Sequence, residues 1–153
     1  MIAVDLAKDA LVKPFEGYAK RLPDGRCQAY PDPGSGDKPW TIGWGCTGPD
    51  ITKGTIWTLQ QAEDNLTQHI EYFALQLLKL SPLLINYTNP FAAVISFAYN
   101  CGLGNYRIST FKKKIDAQDW LGAREEIVKW NKASGRVMRG LTLRRQAEAT
   151  FLV

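Results

Sequence analysis

Near the start of the chain the apolar residues Val4, Leu6, Ala7, Ala10, Leu11 and Phe15 recur at steps of three and four. That spacing gives a helix one buried face. The pattern runs out at Pro14-Phe15-Glu16-Gly17. Proline disfavours helix in the residue before it, and glycine is a natural stop after a helix. Glu16 is therefore expected at or just past a helix end, beside an aromatic. From Gly17 to Asp50 the helical period disappears, and proline and glycine crowd short apolar runs. Arg26–Tyr30 and Trp40–Gly45 read as strands of a small antiparallel sheet, joined by a turn-rich loop over residues 31–39.

Helical patterning returns at Thr58. Thr58 and Gln61 have capping-box spacing. Beyond them Leu59, Ala62, Leu66, Ile70, Phe73, Leu77 and Leu80 mark one face of a long amphipathic helix that ends at Ser81-Pro82. Asn89-Pro90 reads as the start of another helix, with proline at its first position. Phe91 to Tyr99 are apolar on nearly every side, which predicts a buried central helix closed by Cys101-Gly102. Ser109, Asp119 and Gly140 open three further helical stretches. There is no internal repeat and no linker. The order of elements predicts a single α+β domain: a small β lobe over about 17–57, and a larger helical lobe from 1–16 and 58–153. A cleft between the lobes is the expected site.

Composition narrows the function classes. Apolar residues make up 45% and charged residues 22%, a balance that excludes a disordered chain. The formal charge of +4 is mildly basic and favours approach to a polyanion such as DNA, anionic lipid or an acidic cell wall. Acids are interspersed with the bases and no recognition motif is present, so nucleic acid is not the expected partner. Asp5 and Asp9 interrupt the region where a signal peptide would be apolar. The uncharged run from Leu80 to Tyr106 is broken by Pro82 and Pro90, so no stable membrane insertion is expected. Cys27, Cys46 and Cys101 are an odd number without a CxxC, which reads as isolated thiols; a Cys27–Cys46 bridge is left open.

Only one histidine, His69, is present, inside the long amphipathic helix. A zinc hydrolase needs several ligands in concert, and a Cys–His hydrolase needs the imidazole beside a thiol. Neither metal nor cofactor is expected, and His69 reads as a helix-surface residue. What remains is carboxylate chemistry. Glycoside hydrolysis uses one carboxylic acid to protonate the leaving oxygen and a second carboxylate to activate water or to attack. Glu16 and Asp32 both fall at edges of predicted elements. Position alone does not single them out among fifteen acids.

The surrounding residues do. Phe15-Glu16-Gly17, then Tyr30-Pro31-Asp32, then Thr41-Ile42-Gly43-Trp44-Gly45 resembles the catalytic signature of glycoside hydrolase family 24, the T-even and lambdoid phage lysozymes. The resemblance continues through Phe97-Ala98-Tyr99-Asn100-Cys101-Gly102 and Ser109-Thr110-Phe111. It ends in Gly140-Leu141-Thr142-Leu143-Arg144-Arg145-Gln146-Ala147-Glu148. It implies a lysozyme-like fold and an N-acetylmuramidase cutting peptidoglycan glycan strands, with inversion. Glu16 would be the general acid, Asp32 the base that orients or deprotonates water, and Thr41 the hydroxyl that helps hold that water. Tyr30, Tyr99 and Asn100 would touch substrate. Arg144 or Arg145 would orient Glu16; a surface pair on the last helix is the alternative left open.

One departure from the family pattern concerns Asp32. The segment Ala19–Arg26 lengthens the interval after Glu16, which makes Asp24 a competitor by spacing. Asp32 is preferred because it follows Tyr30 and precedes Thr41 in the family's order, whereas Asp24 lies in a plain turn sequence. Lys112-Lys113-Lys114 reads as a solvated helix face. The resemblance also implies a monomeric phage endolysin, made in the host cytoplasm and reaching the wall through a separate holin-like protein. Two other readings stay in view: a lytic transglycosylase, which needs no second carboxylate, and a wall-binding module, which needs neither.

Overall fold

The computed structural model describes residues 1–153 and divides into two compact units. One comprises residues 1–15 with 70–153, and the other residues 16–69. The chain is α+β, with eight α-helices and three two-stranded antiparallel sheets.

In the first unit, α1 (Ile2–Ala7) continues through a π turn (Lys8–Val12) into α2 (Lys13–Glu16). Lys13 stays helical although the following proline disfavours it there. Within the π turn the Lys13 N–H donates to the Lys8 carbonyl, five residues back. A proline ring collides with the carbonyl four residues back in a regular α-helix, and Pro14 has no N–H to donate. The widened turn just upstream is a recognised way for a helix to take up such a misfit. The helix ends at Glu16, as expected, because Gly17 takes a positive φ of 73°, which a side chain resists.

α3 (Leu59–Leu80) begins in the second unit and ends in the first. Its capping box forms as the sequence implies. The Thr58 N–H donates to Gln61 Oε1 at 2.8 Å, and the Gln61 N–H donates to Thr58 Oγ1 at 3.1 Å. Ser81 ends it, and a 3-10 turn (Pro82–Asn86) leads to α4 (Thr88–Cys101). α4 starts two residues before the predicted first position, Pro90, with Tyr87 rather than Asn89 at the cap position. Every residue from Pro90 to Ala98 is buried, and α4 packs against α1, the π turn, α5 and α8. Phe97 sits at the centre, with ring centroids 4.9 Å from Phe111 and 5.4 Å from Trp130.

The remaining helices are α5 (Leu103–Ile108), α6 (Thr110–Asp116), α7 (Trp120–Ile127) and α8 (Arg139–Ala149). Ser109 and Asp119 cap α6 and α7 through their side chains, which accept from the N–H groups of Lys112 and Gly122. The lysine run on α6 is largely neutralised locally: Lys112 pairs with Asp116 at 2.6 Å and Lys114 with Asp119 at 3.6 Å. α5 and the hairpin before α8 are not foreseen from the sequence, being too short to show a period. No helix is long and apolar enough to cross a membrane.

The second unit holds β1 (Cys27–Gln28), β2 (Thr41–Ile42), β3 (Cys46–Thr47) and β4 (Ile56–Trp57). The predicted strand Trp40–Gly45 is cut short. Ile42 pairs with Cys46 across the turn Gly43-Trp44-Gly45, where both glycines have positive φ. Gly43 is also crowded: a Cβ there would lie 3.3 Å from the Ala62 Cβ of α3. β1 pairs not with β2 but with β4, Cys27 opposite Trp57. The hairpin before α8 consists of β5 (Lys132–Ala133) and β6 (Arg136–Val137). All three cysteines are free thiols, with Cys27 and Cys46 buried on different sheets.

Candidate active site

Glu16, Tyr30, Asp32 and Thr41 all belong to the second unit. Glu16 is the last residue of α2 and is half-buried. Its neighbourhood is reported by Tyr30, whose phenol is pushed up first by burial and then by the negative charge of Glu16. Those two side chains are therefore electrostatic neighbours.

Tyr30 and Thr41 exchange both backbone hydrogen bonds at 2.9 Å, an isolated antiparallel bridge. The bridge closes the loop 31–40 at its base. Asp32 lies two residues inside it and organises the near limb. Its N–H donates to the Asp37 carbonyl at 2.9 Å, and its own carbonyl accepts from Gly36 at 2.8 Å. Its Oδ2 accepts from the N–H groups of Gly34 at 3.1 Å and Ser35 at 3.0 Å. Oδ1 takes part in none of these bonds. The carboxylate is thus clamped by one oxygen, as in an Asx turn, with the other left over. Thr41 is half-buried, and its Oγ1 makes only a long bond of 3.4 Å to the Pro39 carbonyl.

Asp24 is placed quite differently. The segment Ala19–Arg26 folds as an extension of a hairpin, with Arg21 bridged to Cys27 and the Leu22 N–H donating to the Arg26 carbonyl at 2.7 Å. Asp24 sits at its exposed tip. The backbone N–H of Arg26 holds its carboxyl below the usual range, helped by the Arg26 side chain at 2.6 Å. Beside this hairpin the Tyr18 phenol is pushed up to about 12, chiefly by burial and then by its bond to Cys27.

Tyr99 and Asn100 belong to the other unit, at the C-terminal end of α4. The Tyr99 ring packs on Phe73 of α3, centroids 5.6 Å apart. Asn100 is exposed, and its Oδ1 accepts from the Cys101 thiol at 3.7 Å.

Arg144 and Arg145 are not a surface pair: both are buried in α8. Their common partner is Glu148, fully buried and three or four residues on, so all three side chains share one face of the helix. Arg145 Nε lies 2.6 Å from Glu148 Oε1, a close ion pair without hydrogen-bond alignment, and Arg145 Nη2 donates to Oε2 at 3.1 Å. Arg145 also reaches Cys101 Sγ and stacks over Phe97. Arg144 donates weakly to the Ser96 hydroxyl at 3.3 Å and lies 5.9 Å over the Phe15 ring, next in the chain to Glu16. The Ser96 hydroxyl in turn donates to Glu148 at 2.5 Å. Burial pushes the Glu148 carboxyl up, against the pull of Arg145, Ser96 and Arg144. Sequence reasoning assigns Glu148 no role of its own; the Arg-Arg-x-x-Glu spacing is the signal that points to it.

Glu148→Gln should cost about 3–5 kcal/mol of stability, because it leaves two guanidinium groups buried without their anion. Urea unfolding reads this directly. A loss below about 1 kcal/mol, the scale of an exposed pair, would show that the network is solvated rather than buried.

The comparisons with known proteins cover the same stretch of chain. Residues 14–148 match the model of the phage lysozyme family. The endolysin of Bacillus phage PZA is 34% identical over 142 residues, covering 92% of this chain and 52% of that protein. The endolysin of Acyrthosiphon pisum secondary endosymbiont phage 1 is 33% identical, covering 90% of this chain and 89% of that protein. Among solved structures, the endolysin from Escherichia coli O157:H7 phage FAHEc1 superposes with a TM-score of 0.76 at 28% identity, covering 100% of this chain and 91% of that one. The chain spans about half the length of the curated Bacillus phage relatives it matches. The matched span contains Glu16, Asp32, Thr41 and the Arg144–Arg145–Glu148 cluster, and on that match the chain belongs to the phage lysozyme family.

Proposed function

We propose that this protein is an endolysin: an N-acetylmuramidase that hydrolyses the β-1,4 bond between N-acetylmuramic acid and N-acetylglucosamine in bacterial peptidoglycan, with inversion at the anomeric carbon. The observation that carries the reading is the closed loop of the second unit. The Tyr30–Thr41 bridge ties Asp32 to Thr41, and the Tyr30 phenol, raised first by burial, also feels the negative charge of Glu16.

In this reading the Glu16 carboxylic acid gives its proton to the glycosidic oxygen as the C1–O bond breaks. A water attacks C1 from the opposite face. Asp32 accepts that water's proton through Oδ1 while the Gly34 and Ser35 amides hold Oδ2 still. The Thr41 hydroxyl, which makes only a long internal bond, orients the water. An inverting enzyme needs room for this water, with its carboxyl groups about 6.5–9.5 Å apart. A Tyr30 phenol kept protonated by burial serves as a hydrogen-bond donor to a sugar oxygen. Asn100, exposed on α4, and Tyr99 beside it are the proposed substrate contacts of the helical unit. Of the two arginines, Arg144 is the proposed positioning residue, acting through Phe15; Arg145 is committed to Glu148, Cys101 and Phe97. The chain acts as a monomer, and a separate holin-like protein gives it access to the wall.

The test is digestion of purified sacculi, followed by mass analysis and proton NMR of the first products. Hydrolysis with inversion yields reducing muramic acid ends, with the α-anomer appearing first. Anhydro-muramic products would assign the chain to the transglycosylases. A β-anomer formed first would replace the water mechanism with a covalent one.

A further inference from the structure

We infer that the β5–β6 hairpin and the first turn of α8 form a docking surface for a membrane whose lipids carry negative charge. The surface lies wholly on the helical unit. Its residues have no part in the reaction proposed above.

Between Glu126 and Glu148 the chain carries six cations, Lys129, Lys132, Arg136, Arg139, Arg144 and Arg145, and no acid. That exceeds the net charge of +4 on the whole chain. The fold sorts these cations into two groups. Arg144 and Arg145 turn inward to Glu148, and Lys129 pairs with Glu126 at 3.0 Å. Lys132, Arg136 and Arg139 are exposed and pair with no carboxylate.

Every residue of both strands of the hairpin is exposed. Ser134 and Gly135 close it with φ of 51° and 76°, the two left-handed residues of a tight hairpin turn. Residues opposite each other in an antiparallel pair project on the same face. Lys132 therefore stands beside Val137, and Ala133 beside Arg136. Met138, extended before α8, falls on the Arg136 face. Arg139 and Leu143, four residues apart, share one side of the helix. Val137 is 61% exposed, Met138 46% and Leu143 44%. Each unpaired cation thus has an exposed apolar side chain next to it.

This interleaving selects a lipid surface over another polyanion. A nucleic acid offers phosphates to the cations but gives Val137, Met138 and Leu143 nothing to bury against. Its unpaired bases stack on aromatic rings, and the hairpin has none. A bilayer with anionic headgroups offers both halves of the match: phosphates for the cations and, just beneath them, the acyl boundary for the apolar tips. The contact is peripheral, since no helix is long and apolar enough to cross a membrane.

The test is cosedimentation of the purified protein with vesicles of equimolar phosphatidylethanolamine and phosphatidylglycerol, beside vesicles of phosphatidylcholine alone. Binding is expected to the first and not to the second, and should fall as salt screens the headgroups. Each lysine or arginine near such a surface contributes about five-fold to partition. Lys132→Gln, Arg136→Gln and Arg139→Gln combined should therefore weaken binding about 100-fold. Val137→Ser with Met138→Ser keeps the charge and should weaken binding about ten-fold, through the lost apolar tips. All five side chains are exposed, so both variants should keep the fold, which circular dichroism checks. No preference for the anionic vesicles, or undiminished binding by the folded glutamine variant, would overturn the proposal. Undiminished binding by the serine variant would overturn it as well. The patch would then be a plain polyanion site, and a DNA duplex would compete with the vesicles for it.

Discussion

Replacing Glu16 with glutamine is expected to abolish wall lysis while leaving the fold intact. The amide has the shape of the carboxylic acid, and the helix end it occupies is set by Gly17 and by the π turn upstream rather than by the acid itself. It cannot release a proton to the departing oxygen. General acid catalysis contributes about 10²–10⁴-fold, and the leaving group in this reaction is a poor one that depends on it. The measurement is the initial rate of turbidity clearing on chloroform-treated Gram-negative cells, beside circular dichroism and a melting curve. A folded Glu16→Gln protein that clears cells at close to the normal rate would remove Glu16 from the mechanism.

The second large effect distinguishes two aspartates. Asp32→Asn should lower the rate by orders of magnitude, on the same scale of about 10²–10⁴-fold. The asparagine carbonyl oxygen still accepts from the Gly34 and Ser35 amides, so the loop keeps its shape. What disappears is the basic oxygen that takes a proton from water. Asp24→Asn should be nearly silent. Asp24 is exposed at a hairpin tip, and its partner Arg26 is itself solvated. The two variants are assayed together on sacculi, with folding checked in each. The opposite outcome, a silent Asp32→Asn and an inactive Asp24→Asn, would mean that the base comes from the long segment after Glu16 and not from the loop 31–40.

These expectations rest on features that the amino-acid sequence displays to different degrees. The local ones can be read directly. Thr58 with Gln61, Ser109, Asp119 and Gly17 each act on backbone groups within four residues, so their effect is written in neighbouring letters of the chain. The burial of α4 is legible for a similar reason, because a helix apolar on all sides has no face to give to water. The order Glu16, Tyr30, Asp32, Thr41 is legible as a motif.

What the chain alone does not decide is everything that depends on a partner far along it. β1 finds β4, while the two strands read from the sequence meet only at the Tyr30–Thr41 bridge, pairings too short to carry a period. Pro14 stays inside a helix because a π turn widens the backbone ahead of it, a misfit that helix propensity alone does not anticipate. For Arg144 and Arg145 the sequence leaves a surface pair open beside a role near Glu16, and the structure buries both. Glu148 on their own helix supplies the counter-charge, and Ser96, about fifty residues upstream, supplies the hydrogen bonds. A charged side chain leaves water only when its compensating groups are already in place. For Arg144, Arg145 and Glu148 that condition is met by packing α8 on α4, so the folded arrangement decides it.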